Sequence, residues 1–176
     1  MSFELVPIGD FGAYGVRSPN IKDSRGLMVR VFQNSSLLPD FYVEQVSWVF
    51  NAKKFTLRGM HFQKNDFSET KLVFSTHGKV LDIGVDIRPD SPTYLKHFSL
   101  EIGPDEKIQG VLLPKGFAHG YLTLKRNCSL IYLMDNLYSP ENSSGLLWND
   151  EALKISWPRT PRVISERDKL WPKILK

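Results

Sequence analysis

The chain predicts an all-β fold, a sandwich or barrel of many short strands, and three features carry that expectation. It holds 12 Gly and 11 Pro, set in turn signals such as PDSPT, GPDE, LLPKG and YSPENSSG that punctuate short apolar stretches. The segment KVLDIGVDI alternates strictly, with Leu81, Ile83, Val85 and Ile87 on one face and Val80, Asp82, Gly84 and Asp86 on the other. Apolar runs of this length recur along the chain with no internal repeat, low-complexity tract or linker between them, which fits one domain over residues 1–176.

In chain order, GLMVRVF, EQVSWVF, TLRGMHF, KLVFSTH, KVLDIGVDI, HFSLEI, QGVLLP, GYLTL and CSLIYLM each read as a strand, because β-branched and aromatic residues sit between turn formers. Helix is expected only in short pieces, around Ser35 to Pro39 and after Ser165. The polar face of KVLDIGVDI has two readings: Asp82 and Asp86 line a cavity inside a barrel, or they face water.

Composition narrows the function. Of 176 residues, 41% are hydrophobic, enough for a core without disulfides, and the single cysteine, Cys128, excludes an intramolecular bridge. With no signal-like segment and no apolar run of about 20 residues, the expectation is a cytoplasmic protein without a membrane span. The net charge of +4 is spread among acids rather than gathered in a stripe, which argues against nucleic acid and suits a small anion.

The motifs exclude further classes. His61, His77, His97 and His119 are isolated in sequence, so no metal ligand set is built and none is expected. No glycine-rich phosphate loop or Gly-x-Ser-x-Gly elbow is present, and Cys128 sits in an apolar strand as a packed thiol. Acid–base chemistry remains. His61 is a candidate proton carrier, Arg58, Lys71 and His119 supply positive charge, and Tyr132 a phenolic proton, a set suited to proton abstraction next to a carbonyl. One obstacle is geometric: Arg58 and His61 have opposite parity on a regular strand, so a common pocket needs a bulge or kink, for which Gly59 is the natural place.

RGMHFQ, KLV from Lys71, the pattern from Gly78 to Thr93 ending in SPT, PKGFAHGY, Y-x-P from Tyr138, WNDEALKISWP and ISERD, in this order, closely resemble the dTDP-4-dehydrorhamnose 3,5-epimerase family over about residues 20–170. The resemblance implies a cupin-type jelly-roll β-barrel with a few short helices, mainly near the C-terminus, and a homodimer that shares strands. It implies no cofactor and a nucleoside diphosphate 4-keto-6-deoxy sugar as substrate. By the same resemblance His61 is the general base, Asp168 its partner, Tyr132 the opposing acid and Lys71 a catalytic cation. Arg58, His119 and Tyr138 line the pocket, Gln45 lies on the nucleotide side, and Arg25 reaches a diphosphate in the partner subunit. An inverter of one carbon only, a 3,4-ketoisomerase or a non-catalytic nucleotide-sugar binder are the alternatives. The chain departs from the family pattern at RGLMVRVF, with Arg30 where many members have glutamate, and at SWVFN, which leaves the nucleotide base and some sugar contacts open.

Overall fold

The structure, a computed structural model, describes residues 3–33 and 40–174, so the helix expected around Ser35 to Pro39 lies outside the described residues. In chain order the strands are β1 (Glu4–Pro7), β2 (Tyr14–Arg17), β3 (Asn20–Asp23), β4 (Gly26–Val29), β5 (Gln45–Asn51), β6 (Leu57–Gln63), β7 (Lys71–His77), β8 (Val80–Asp86), β9 (His97–Ile102), β10 (Gly110–Leu113), β11 (Phe117–Thr123), β12 (Cys128–Met134) and β13 (Ser143–Gly145). One four-residue helix, α1 (Glu166–Lys169), follows Ser165, whose hydroxyl accepts the Asp168 N–H at its first turn.

The strands form two facing antiparallel sheets, one in the order β1-β2-β10-β7-β12-β5 and the other β13-β6-β11-β8-β9, with β3 and β4 as a separate hairpin. Crossovers between the sheets give the cupin-type jelly roll. The period-2 alternation of the strands explains why the fold holds three apolar layers. Between the sheets lie Val73, Phe98, Val111, Leu113, Phe117, Tyr121 and Leu130. The outer face of the six-stranded sheet is covered by Phe3, Phe41 and neighbours, and that of the five-stranded sheet by Leu153, Ile155 and Trp157.

Strand β8 decides between the two readings of its polar face. Ile83 and Val85 pack outward, while Asp82 and Asp86 point between the sheets, both fully buried. Asp86 is consumed structurally: it accepts from Arg88 Nε at 2.9 Å, Ser91 Oγ at 2.6 Å and Thr93 Oγ1 at 2.6 Å, closing one end of the barrel. Burial opposes its charge, but those donors hold its carboxyl far below the ordinary range.

The parity obstacle is removed by a bulge. On β11, His119 opposes His61 and Tyr121 opposes Arg58, so between these pairs one residue of β11, Gly120, answers two of β6, Gly59 and Met60. The extra residue turns Arg58 and His61 onto the same inner face. Gly59 has φ 139°, and a Cβ there would stand 2.5 Å from the Gly120 Cα. Only glycine satisfies both demands.

Candidate active site

Strand order brings most of the expected residues to one end of the barrel. Gln45, Ser47, Lys71 and Tyr132 project from β5, β7 and β12, and His61 and Gln63 face them from β6. With Glu69, Tyr138, Ser143 and Arg167 they line a cleft of about 270 Å³. A second cleft, bounded by Arg58, Val163, Ser165 and Asp168, adjoins it and shares His61 and Arg167.

His61 Nε2 meets Asp168 Oδ1 at 2.6 Å. Asp168 is 3% exposed, and burial works to raise its pKa. The hydrogen bonds from His61, from the Gly59 N–H at 3.3 Å and from Trp171 Nε1 at 3.3 Å outweigh burial and hold the carboxyl below its usual range. An ionised carboxylate only accepts, so the ring proton belongs on Nε2 and Nδ1 is left as the basic nitrogen. The Trp171 ring lies edge-on to the imidazole, with centroids 6.1 Å apart.

Tyr132 stands on the opposite sheet, half-buried, and burial pushes its hydroxyl well above the ordinary tyrosine range. It is a phenol that keeps its proton until a stronger base forms beside it. His119 lies deeper, its ring edge-on to Tyr132 at 6.1 Å and its Nε2 2.8 Å from Asp82 Oδ2. Lys71 Nζ pairs with Glu69 Oε1 at 2.8 Å, and Gln63 Nε2 donates to the other oxygen of Glu69 at 3.0 Å. Tyr138 stands at the rim, its N–H on Gln45 Oε1 at 2.9 Å. Arg167 and Ser143 at its hydroxyl lower its pKa.

Arg25 stands apart. On the β3–β4 hairpin it is 88% exposed and ion-paired with Asp23, away from both clefts of its own chain. Sequence reasoning missed Glu69, Ser143, Arg167 and Trp171. Arg167 lies inside the ISERD segment, while nothing local marks the other three, which long-range pairing brings in. Among the described residues, no three histidine, cysteine, aspartate or glutamate side chains converge as a metal ligand set.

A jelly-roll barrel that sets a histidine–aspartate pair on one wall against a phenol on the other defines an acid–base isomerase. The family profile described as dTDP-4-dehydrorhamnose 3,5-epimerase matches residues 11–176, and the chain belongs to that family. It is 40% identical over 146 residues to the dTDP-4-dehydrorhamnose 3,5-epimerase of Escherichia coli (strain K12), covering 81% of this chain and 78% of that one. The fold superposes on the enzyme of the same name from Bacillus anthracis str. Ames, solved with TDP and PPi bound, with TM-score 0.90 and 32% identity over 98% of this chain and 100% of that one. It also superposes on ChmJ, a 3′-monoepimerase from Streptomyces bikiniensis, with TM-score 0.87 and 27% identity over 95% of this chain and 86% of that one. The chain is thus an epimerase of deoxysugar biosynthesis.

Proposed function

We propose that this epimerase inverts carbons 3 and 5 of a dTDP-linked 4-keto-6-deoxy sugar in the cytoplasm, with His61 as base and Tyr132 as acid. The observation that carries the reading is the placement of the His61–Asp168 pair and Tyr132 on facing sheets of one cleft. The 4-keto group acidifies the protons on both neighbouring carbons. His61 Nδ1 takes one, the electron pair of the broken C–H bond moves onto the keto oxygen as an enolate, and the imidazolium is stabilised by Asp168. Lys71 supplies positive charge toward that oxygen, with Glu69 fixing where its ammonium sits. Tyr132 then delivers its proton to the opposite face of the carbon, which inverts it. Arg58 and Arg167 at the cleft mouths suit the diphosphate.

The reading includes a homodimer that shares strands, and two exposed apolar features support it. Edge strand β5 exposes Val46, Trp48 and Phe50, and the β3–β4 hairpin exposes Ile21, Leu27 and Met28 away from the barrel. Such a dimer also carries Arg25 toward a neighbouring site. Light scattering should return twice the 20.2 kDa chain mass. A monomer would remove Arg25 from the substrate contacts.

A second reading, inversion at one carbon only, is favoured by the likeness to the 3′-monoepimerase. NMR in heavy water tests both. Deuterium enters carbons 3 and 5 in the first reading and one of them in the second, and His61→Asn lowers incorporation by about 10² to 10⁴. Undiminished incorporation in that variant would remove His61 as the base.

A further inference from the structure

Asp168 orients His61, and Asp168 is itself held in place. At 3% exposure it has lost nearly all of its water, and a buried carboxylate persists only where donors replace that hydration. It has three donors: the Gly59 N–H on Oδ2, and both His61 Nε2 and Trp171 Nε1 on Oδ1. An indole N–H donates and cannot accept. With two N–H groups aimed at it, Oδ1 is held as an acceptor, which keeps the shared proton on Nε2 of the ring. Donors on both oxygens also stop the carboxylate from rotating.

A fit between two distant parts of the chain places the indole. Gly145 on β13 is the ladder partner of His61 on β6. A Cβ on Gly145 would stand 2.6 Å from Trp171 Cδ2 and 2.6 Å from its Nε1, so the indole fills the space that a side chain beside His61 would take. Arg167 lies over the same ring, its guanidinium carbon 4.8 Å from the centroid, and is anchored by donating to Ser143 Oγ at 2.7 Å. Just past the indole, the Leu147 N–H binds the Pro172 carbonyl at 3.2 Å and the Ile174 N–H binds Asp150 Oδ2 at 2.6 Å, which ties this segment to the barrel. Trp171 lines neither cleft, so its route to the chemistry runs through Asp168.

We infer that Trp171 is a positioning residue for the base: its N–H fixes Asp168 Oδ1 as the acceptor for His61 Nε2, and its seat on the bare Gly145 backbone fixes where that N–H points. Two substitutions therefore reach one hydrogen bond from opposite sides. Trp171→Phe keeps a ring and removes the donor. Gly145→Ala keeps the donor and pushes the ring off its seat, since the added carbon meets only the indole within 3 Å.

The inference rests on His61 as the base, and the test separates the two. Wild type, Trp171→Phe, Gly145→Ala, Trp171→Ala, the Trp171→Ala/Gly145→Ala double variant and His61→Asn are given the 4-keto sugar in heavy water, and kcat and KM for deuterium uptake are read with the melting temperature. Trp171→Phe and Gly145→Ala should each lower kcat about ten- to a hundredfold, the range of one hydrogen bond to a charged group, with KM unchanged. In the Trp171→Ala background the indole is gone, so Gly145→Ala should cost nothing further. A lower melting temperature with wild-type kcat in Trp171→Phe marks a packing residue and overturns the inference, as does a Gly145→Ala loss that is equally large in both backgrounds. If Trp171→Ala fails to fold, Trp171→Phe and Gly145→Ala decide, and a wild-type kcat in either overturns it. Uptake that survives in His61→Asn removes the base itself, and the role of Trp171 falls with it.

Discussion

The bulge at Gly59 is the point where fold and chemistry meet, and Gly59→Ala measures how closely they are joined. The new methyl lies 2.5 Å from the Gly120 Cα and 3.1 Å from the His119 carbonyl, both backbone atoms that no rotamer change can move. Carbon contacts settle at about 3.5–4.0 Å, so β6 and β11 must part by about 1 Å. The φ of 139° adds a second penalty, because a residue with a Cβ is strained there by about 1–3 kcal/mol. Overpacking adds about 1–3 kcal/mol more, for a total of about 2–6 kcal/mol. In a chain of this size that is a fall in melting temperature of about 4–24 °C. The Asp168 carboxylate binds the Gly59 N–H, so the displacement reaches the His61 pair directly, and a shift of this size lowers turnover about 10²-fold. Gly26→Ala is the control: its φ is 131° but nothing lies within 4 Å of the added carbon, so it carries the backbone strain without the clash. Calorimetry on both variants and turnover of Gly59→Ala make the test. If Gly59→Ala melts no lower than Gly26→Ala and turns over like wild type, the bulge is not what holds Arg58 and His61 together.

Three further outcomes follow from the same geometry. Asp168→Asn should abolish most turnover and flatten the acid limb of stability: the folded carboxyl lies below its ordinary 3.8, so its contribution is present above that pH and lost as pH falls through the folded value, a loss that only wild type shows in acid melts. Asp86→Asn leaves Arg88 without its buried partner and should destabilise by about 3 kcal/mol, read in urea, while the labelling pattern of the product stays unchanged. Dialysis against a chelator should leave turnover intact, because the histidines nearest the cleft are engaged by carboxylates rather than gathered around an open site; loss restored by a divalent metal would contradict this.

The strands that the sequence made legible are the ones long enough to carry several apolar, β-branched or aromatic residues between turns. KLVFSTH, HFSLEI and CSLIYLM coincide with β7, β9 and β12, of which β7 and β12 are buried on both faces over most of their length while β9 is half exposed. Strands β1, β2 and β3 run only four residues each, and β3 is exposed at every position, so no period exists to detect. β13 is Ser143–Gly145, whose composition speaks of a loop; only its ladder to β6 makes it a strand. The site divides in the same way. His61, Lys71, Tyr132 and Asp168 were visible through motifs, and the bulge through parity. Glu69 and Trp171 were not, since the Lys71 pair and the Trp171 contact to Asp168 depend on side-chain directions that sequence spacing does not carry. Arg25 keeps its meaning only in a shared assembly.

His61 and Tyr132, the proposed base and acid, belong to different sheets, and what separates those sheets is hydrocarbon. Val73, Leu113, Leu130 and Phe98 touch no reacting atom, yet as the filling between the sheets they set the width of the gap that a sugar ring must span from His61 to Tyr132. On the proposed mechanism the interior is therefore a spacer between the two proton carriers. A change of one or two methylenes there retunes stereochemistry as well as stability: too narrow a gap excludes the ring, and too wide a one lets the enolate recapture its proton from the face it left.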